Sequence, residues 1–428
     1  MKRYIMSDLM KWKNSICRKP LILEGARQVG KTWIVKEFAR EQYQHIAYLN
    51  FEEDTYLRNL FEPDFDVNRI LIAIRAATHQ PCVADETLIF LDEIQEATNG
   101  LTALKYLYEN APSLHIIVAG SLLGLELHKK VSFPVGKVQF LTLHPMNFSE
   151  FLLAMGEQGL VDMLQKKDWT NISLFSEKYK ELLKQYYCVG GMPEAVLVFS
   201  ETKDWKQVRD VQNDILKSYS RDFSKHAPEN IVPRIRQIWN SVPAQLSREN
   251  RKFVYGLVKK GARAREYEIA LNWLNDGGLI HKINCVKAPR LPLKSYEDAT
   301  AFKVYVLDIG LLVAMCNMDV SIIVKGNSIF TEFKGALTEQ YVLQELILKH
   351  EPFYWAKPSS NQEIDFLLQQ KDNVVPVEVK SEINLNAKSL HQYTRENSSS
   401  LAYRISMSAY CVEEIITNVP LYAVSCVM

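Results

Sequence analysis

The sequence predicts an α/β protein whose first part is a parallel, doubly wound sheet. Short apolar runs at 21–23, 45–51, 88–91, 115–119 and 138–143 read as strands, and stretches with helical spacing near 31–42, 67–79 and 101–110 separate them. Strands that alternate with helices form parallel sheets. The first strand also runs straight into a glycine-containing loop and a helix, the context in which such sheets bind anions. A chain of 428 residues is long for one domain, so further domains are expected after this one.

Composition sets limits. Hydrophobic residues at 47% and charged residues at 24% allow a core of ordinary size. The formal charge of +1 excludes a general polyanion-binding protein, so a nucleic-acid surface must come from local clustering. The cysteine number, 7, is odd, and no CxxC pair occurs. That argues against a disulfide framework or a zinc site and fits a cytoplasmic location. No secretory signal and no run of apolar residues long enough to span a membrane is visible.

The loop is Gly25-Ala26-Arg27-Gln28-Val29-Gly30-Lys31-Thr32, which fits G-x-x-x-x-G-K-[ST] at every fixed position, and Trp33 follows it. Gly25 and Gly30 let the backbone curl so that N–H groups point at phosphate oxygens. Lys31 is placed for the β- and γ-phosphates of ATP, and Thr32 offers a hydroxyl to Mg²⁺. Leu88-Ile-Phe-Leu91 ends in Asp92-Glu93, where Asp92 orients the magnesium ion and Glu93 is the candidate general base. The strand at 115–119 ends at Gly120-Ser121. Ser121 either sits between Glu93 and the γ-phosphate or is a simple turn residue.

These motifs, with Ala-Gly-Ser and the later Leu-His-Pro-Met-Asn-Phe-Ser-Glu-Phe, resemble bacterial and archaeal AAA+-type P-loop ATPases that carry a C-terminal domain of unknown function. The resemblance implies ATP binding and hydrolysis, with Lys31, Glu93 and Ser121 in catalysis. Relatives usually have Gly-Arg after the sensor strand where this chain has Gly136-Lys137. Lysine cannot make the bidentate contact of arginine. A trans-acting arginine would imply a homo-oligomer, and Arg27 is another candidate for a charge facing phosphate.

Residues 157–225 read as mainly helical, a lid. Gly190-Gly191-Met-Pro193 resembles an element that packs against adenine, and it also reads as a loop-to-helix junction. Residues 231–285 read as a winged helix, with helices at 231–246 and 264–274. Arg248, Arg251, Lys252, Lys259, Lys260, Arg263 and Arg265 make it basic, which suggests DNA; a solvated charged face is the plainer reading.

Farther on, Gln362-Glu-Ile-Asp365-Phe and Val377-Glu378-Val-Lys380 alternate, with Gln370-Lys-Asp-Asn373 as the turn. A hairpin centred between Lys371 and Asp372 sets Asp365 opposite Glu378, with Glu363 and Lys380 on the same face. Facing carboxylates repel, and a divalent cation, Mg²⁺ or Mn²⁺, resolves the conflict. Glu339, on a helix upstream, completes the candidate metal set, Lys380 holds water or phosphate, and Gln392 is within reach. The set resembles the PD-(D/E)xK nuclease fold. A retained fold that pairs Glu363 with Lys380 and cuts nothing is the alternative.

The expected architecture is a P-loop NTPase parallel sheet (1–155), a helical lid (156–228), a winged helix (229–290) and an α/β nuclease-like domain (291–428). The expected function is ATP control of a metal-dependent DNA nuclease, or a nucleotide-gated switch that binds DNA or protein without cutting.

Overall fold

The structure is a computed structural model that describes residues 1–120, 134–248, 250–325, 331–357, 360, 362–383 and 387–427. It divides into two compact units, residues 2–144 with 276–278, and residues 145–275 and 279–428 with Met1.

The first unit runs α1 (Ile5–Lys13), β1 (Leu21–Glu24), α2 (Lys31–Gln42), β2 (His45–Asn50), α3 (Val67–Thr78), β3 (Thr87–Asp92), α4 (Gly100–Asn110), β4 (His115–Ala119) and β5 (Gln139–Thr142). The strand order is β2-β3-β4-β1-β5, and all neighbours are parallel. β3 and β4 are buried at every position, which is why they read as continuous apolar runs. α3 starts at Asp66, whose carboxylate accepts from the Arg69 N–H. Ile22, Leu49, Ile70, Leu91 and Val118 share one core. β1 is flanked by β4 and β5, so the loop leaving its carboxyl end sits where ligands bind in open α/β sheets.

The second unit begins with α5 (Phe148–Ala154), α6 (Gln158–Lys166), α7 (Trp169–Leu174), α8 (Ser176–Val189), α9 (Pro193–Thr202) and α10 (Trp205–His226). Next come α11 (Val232–Leu246), α12 (Tyr255–Val258), α13 (Ala264–Asp276), β6 (Ile280–Val286) and β7 (Glu297–Val306). The rest comprises α14 (Ile309–Met315), α15 (Val320–Lys325), α16 (Thr331–Leu346), β8 (Phe353–Ala356), β9 (Glu363–Gln370), β10 (Asn373–Val379), α17 (Lys388–Glu396), β11 (Ala402–Ser406), β12 (Cys411–Glu413) and β13 (Ile416–Pro420).

Its strands form one eight-stranded sheet, ordered β12-β13-β11-β10-β9-β8-β6-β7. The expected boundary at 290 falls between β6 and β7, which are an antiparallel pair, and β6 also pairs with β8. Hydrogen bonding therefore joins the two segments that the sequence divides. The β9–β10 hairpin runs from Asn373↔Gln370 to Val377↔Phe366, the register expected from the sequence, and Asp365 and Glu378 come next on the two strands. Lys371 makes the turn with φ 53°. Among the described residues, no helix is long and apolar enough to cross a membrane.

Candidate functional site

The phosphate loop joins β1 to α2. Gly25 has φ 140°, and a Cβ there would lie 2.3 Å from the Leu143 carbonyl oxygen, so no side chain fits. Gly30, with φ 94°, caps α2. Lys31 is buried, and its Nζ donates to the carbonyls of Gly25 and Ala26, both at 2.8 Å. Burial lowers its pKa to about 8, against the raising charges of Glu93 and Asp92. A phosphate would replace those carbonyls as its partner and favour its charged form.

The Thr32 hydroxyl donates to Asp92 Oδ2 at 2.7 Å, which joins the loop to the end of β3. Burial, with the Glu93 charge, raises the Asp92 pKa, and the Thr32 bond opposes it. Glu93 has left-handed backbone, φ 49°, and Gln95 donates to its Oε2 at 2.5 Å. The Tyr48 hydroxyl donates to Asp92 Oδ2 at 3.3 Å, and Lys36 lies over the Tyr48 ring at 3.6 Å. Gln95 and Tyr48 escape the sequence argument. Gln95 had a signal, because it follows the acid pair by one half-turn; Tyr48 is brought in by the neighbouring strand alone.

A loop with no room for a Cβ, a buried lysine and a hydroxyl–carboxylate pair fit ATP with Mg²⁺. Other expectations change. Arg27 pairs with Glu52 at 3.6 Å, and Lys137 with Glu109 at 3.0 Å, so both charges have carboxylate partners. Gln28 and Trp33 are exposed. Ser121 lies outside the described residues. Pro193 opens α9 at its first turn. The glycines before it serve Asp308: a Cβ on Gly190 would lie 2.2 Å from Asp308 Oδ1, and the Gly191 N–H donates to Oδ2 at 2.5 Å. The junction reading accounts for both glycines without adenine.

In the second unit, an acid cluster gathers on one side of the sheet. Glu339 on α16 is buried and ion-paired with Lys303 of β7 at 2.9 Å and with Arg251. The Tyr305 hydroxyl donates to Glu339 Oε1 at 2.6 Å. Lys303 also pairs with Glu363 at 2.5 Å. Asp365 accepts from the Val379 N–H at 2.8 Å, and Lys380 pairs with Glu378 at 2.6 Å. Burial, then the charges of Glu339 and Glu378, pushes Asp365 well above the usual carboxylate range. Burial works against the charge of Glu339, yet Arg251 and Lys303 hold its pKa low.

The three expected ligands are thus close enough to feel each other's charge, but Glu339 and Glu378 are ion-paired with the chain's own cations and Asp365 accepts from a backbone N–H. Among the described residues, no group of three or more His, Cys, Asp or Glu is arranged to hold a metal ion. As folded, the cluster does not fit an open Mg²⁺ or Mn²⁺ site. The anticipated Glu363–Lys380 pair is replaced by Glu363–Lys303 and Glu378–Lys380. Gln392 instead donates to Glu396 at 2.8 Å. Arg251 leaves the basic surface for Glu339. Lys303 and Tyr305 were legible only as polar residues two apart in an apolar strand, Ala301-Phe-Lys-Val-Tyr-Val306.

The first unit carries a P-loop on a parallel five-stranded sheet, and residues 17–152 match the model of an AAA domain. Residues 180–321 match a domain of unknown function (DUF8612), and residues 334–423 match another (DUF4143). No curated protein matches the chain. Among solved structures, the Walker-type ATPase PABY2304 of Pyrococcus abyssi is 15% identical, with TM-score 0.45 over 74% of this chain and 95% of that one. The ORC1 protein of Aeropyrum pernix, solved in complex with DNA, is 11% identical, with TM-score 0.32 over 74% and 93%. Cdc6p from Pyrobaculum aerophilum is 10% identical, with TM-score 0.27 over 76% and 96%.

Proposed function

We propose that the chain is an ATP-driven switch that binds and hydrolyses ATP in its first unit and answers in its second. The observation that carries this is the Thr32–Asp92 hydrogen bond of 2.7 Å beside the buried Lys31, with Glu93 next in the chain. ATP with Mg²⁺ supplies the phosphoanhydride and the charge that balances it. Lys31 and the loop N–H groups hold the phosphates, Thr32 and Asp92 set the metal's place, and Glu93 takes the proton of the attacking water. Glu93→Gln should bind ATP and turn it over roughly 10²-fold more slowly or worse. Unchanged turnover in a steady-state phosphate-release assay would remove Glu93 as the base.

For the second unit, the closed acid cluster supports a domain that docks a partner without cutting it. Incubation of DNA with the protein, ATP and Mn²⁺ tests this. Intact DNA supports the reading, whereas cleavage by wild type that Asp365→Ala loses overturns it.

The partner that the surface suits is DNA held by its phosphates. The order α11, the Lys252–Lys303 bridge, α12, α13 and the β6–β7 hairpin supports a winged-helix reading. Lys259, Lys260, Arg263 and Arg265 are exposed around the turn into α13, while α13 itself adds Glu266, Glu268 and Asp276. Those acids disfavour insertion into a groove, so the turn is the phosphate contact. Alanine at all four basic positions should abolish duplex binding at low salt. Binding that survives places the contact elsewhere.

A further inference from the structure

A cleft of about 650 Å³ opens in the second unit where α10, α11 and the end of α14 meet. It shares no residue with the acid cluster and carries the opposite charge. Lys217 and Arg221 line it, and among the described residues no acid does. Asn213, Lys217 and Arg221 stand four residues apart on α10, so they share one face of that helix.

These polar groups are not spent on the fold. The Arg221 side chain is exposed and has no carboxylate partner among the described residues. Lys217 has only Asp214, at 3.0 Å, in a largely exposed pair of the kind that contributes little. The amide side chains of Asn213 and Asn240 make no hydrogen bond among the described residues. Arg236, which α11 turns toward the same helix, is by contrast held by the Ser224 hydroxyl at 2.6 Å.

A second, independent observation comes from Trp239 of α11, which lines the cleft and is 3% exposed. Its ring meets Tyr219 and Phe223 of α10 edge-on, with ring centres 6.2 and 6.0 Å away. Its indole N–H has no acceptor among the described residues. A buried indole N–H ordinarily has a partner, and the cleft is where one can enter.

The geometry points to a binding site for a nucleoside monophosphate. A phosphate monoester carries about two negative charges at neutral pH, which Lys217 and Arg221 match. Asn213 and Asn240 each offer a donor and an acceptor, the mixed pattern that a nucleobase edge presents. Leu216, Pro243 and Met315 supply apolar surface for the flat faces of the base. A cleft of this size suits one small ligand. Its occupant braces α10 against α11 and so acts as an effector, at a site distinct from the phosphate loop.

Isothermal titration calorimetry on the full chain tests this, with the phosphate loop first filled by Mg²⁺ and a non-hydrolysable ATP analogue. The probes are AMP, GMP, CMP and UMP, with inorganic phosphate as the bare anion and a short 5′-phosphorylated oligonucleotide as the same chemistry on a strand end. At least one monophosphate should bind, one per chain, with Kd below about 1 mM. Inorganic phosphate should bind at least tenfold more weakly. Arg221→Ala should weaken the monophosphate roughly tenfold, and Asn240→Ala roughly threefold; both positions are exposed, so the fold is kept. Trp239→Phe keeps a ring, removes the N–H and should weaken binding roughly fivefold. The variants assign the binding to the cleft, so the result stands whether or not the phosphate loop takes up the analogue. The inference is overturned if no monophosphate binds wild type, if bare phosphate binds as tightly, if only the oligonucleotide binds, or if Arg221→Ala and Asn240→Ala leave binding unchanged. Should Trp239→Phe not fold, those two exposed variants decide.

Discussion

Glu345 offers the sharpest test of how the second unit holds together. It is buried on α16, and its Oε1 accepts a hydrogen bond from the Phe148 N–H of α5 at 2.8 Å. Burial raises its pKa from 4.5 to about 7; the Phe148 bond opposes this, the Glu150 charge adds to it, and Lys349 opposes it. The sign follows from linkage. A carboxyl with a raised folded-state pKa binds more protons folded than unfolded between these two values. Its penalty is absent below pH 4.5, grows as pH rises, and is complete above pH 7. At 1.36 kcal/mol per pKa unit, the full penalty is about 3 kcal/mol.

Glu345→Gln keeps a carbonyl oxygen for the Phe148 N–H and removes the charge. Relative to wild type it should gain about 2–3 kcal/mol more at pH 8 than at pH 5. Asp308, also buried and raised to about 6, titrates in the same window but is present in both proteins and cancels. Thermal melts followed by dye fluorescence read the difference. With about 2–4 °C per kcal/mol for a unit of this order, the variant's shift in Tm should be roughly 5 °C larger at pH 8. An equal shift at both pH values would refute the buried-charge argument.

Three further outcomes follow from the geometry. Gly25→Ala must push its methyl against the Leu143 carbonyl, so fluorescent ATP analogues should no longer bind; wild-type affinity would show that the loop yields. Gln95→Ala removes the hydrogen bond to Glu93 Oε2 and should lower kcat roughly tenfold, about 1.4 kcal/mol, while leaving the Kd for ATP within about twofold; a change in Kd alone would remove Gln95 from the positioning of the base. Lys303→Met removes the buried cation shared by Glu339 and half-buried Glu363 and should cost about 3–5 kcal/mol in chemical denaturation; a loss below about 1 kcal/mol would mean that Arg251 suffices.

The first unit was legible because its signals are local. A fully buried strand such as Leu88–Leu91 is a continuous apolar run, and Gly25 to Thr32 carries its conformation in its own residues. The β9–β10 register was also legible, because a two-residue turn fixes which side chains share a face. What surrounds that face was not. Lys303 and Arg251 reach Glu339 from segments 36 and 88 residues away, brought in by β7 and by a connection next to a short helix. Alternation identifies a polar face, but it cannot say which distant cation neutralises it. The cluster read as a metal site because the cations that pair with Glu339 and Glu363 lie elsewhere in the sequence.

The same distance problem explains Gly190-Gly191. Read locally, two glycines before a proline suggest a ligand loop. In the fold, they clear space for Asp308, which accepts from the Gly191 N–H and also caps α14 through the Leu311 N–H at 2.9 Å. Glu345 does the corresponding work at the start of α5. Each buried carboxylate satisfies backbone donors that would otherwise be stranded where the helical layer meets α14 and α16. A hydrocarbon there would leave those N–H groups unpaired, at about 1–3 kcal/mol each. Both sets of hydrogen bonds lie within the single unit that residues 145–275 and 279–428 form.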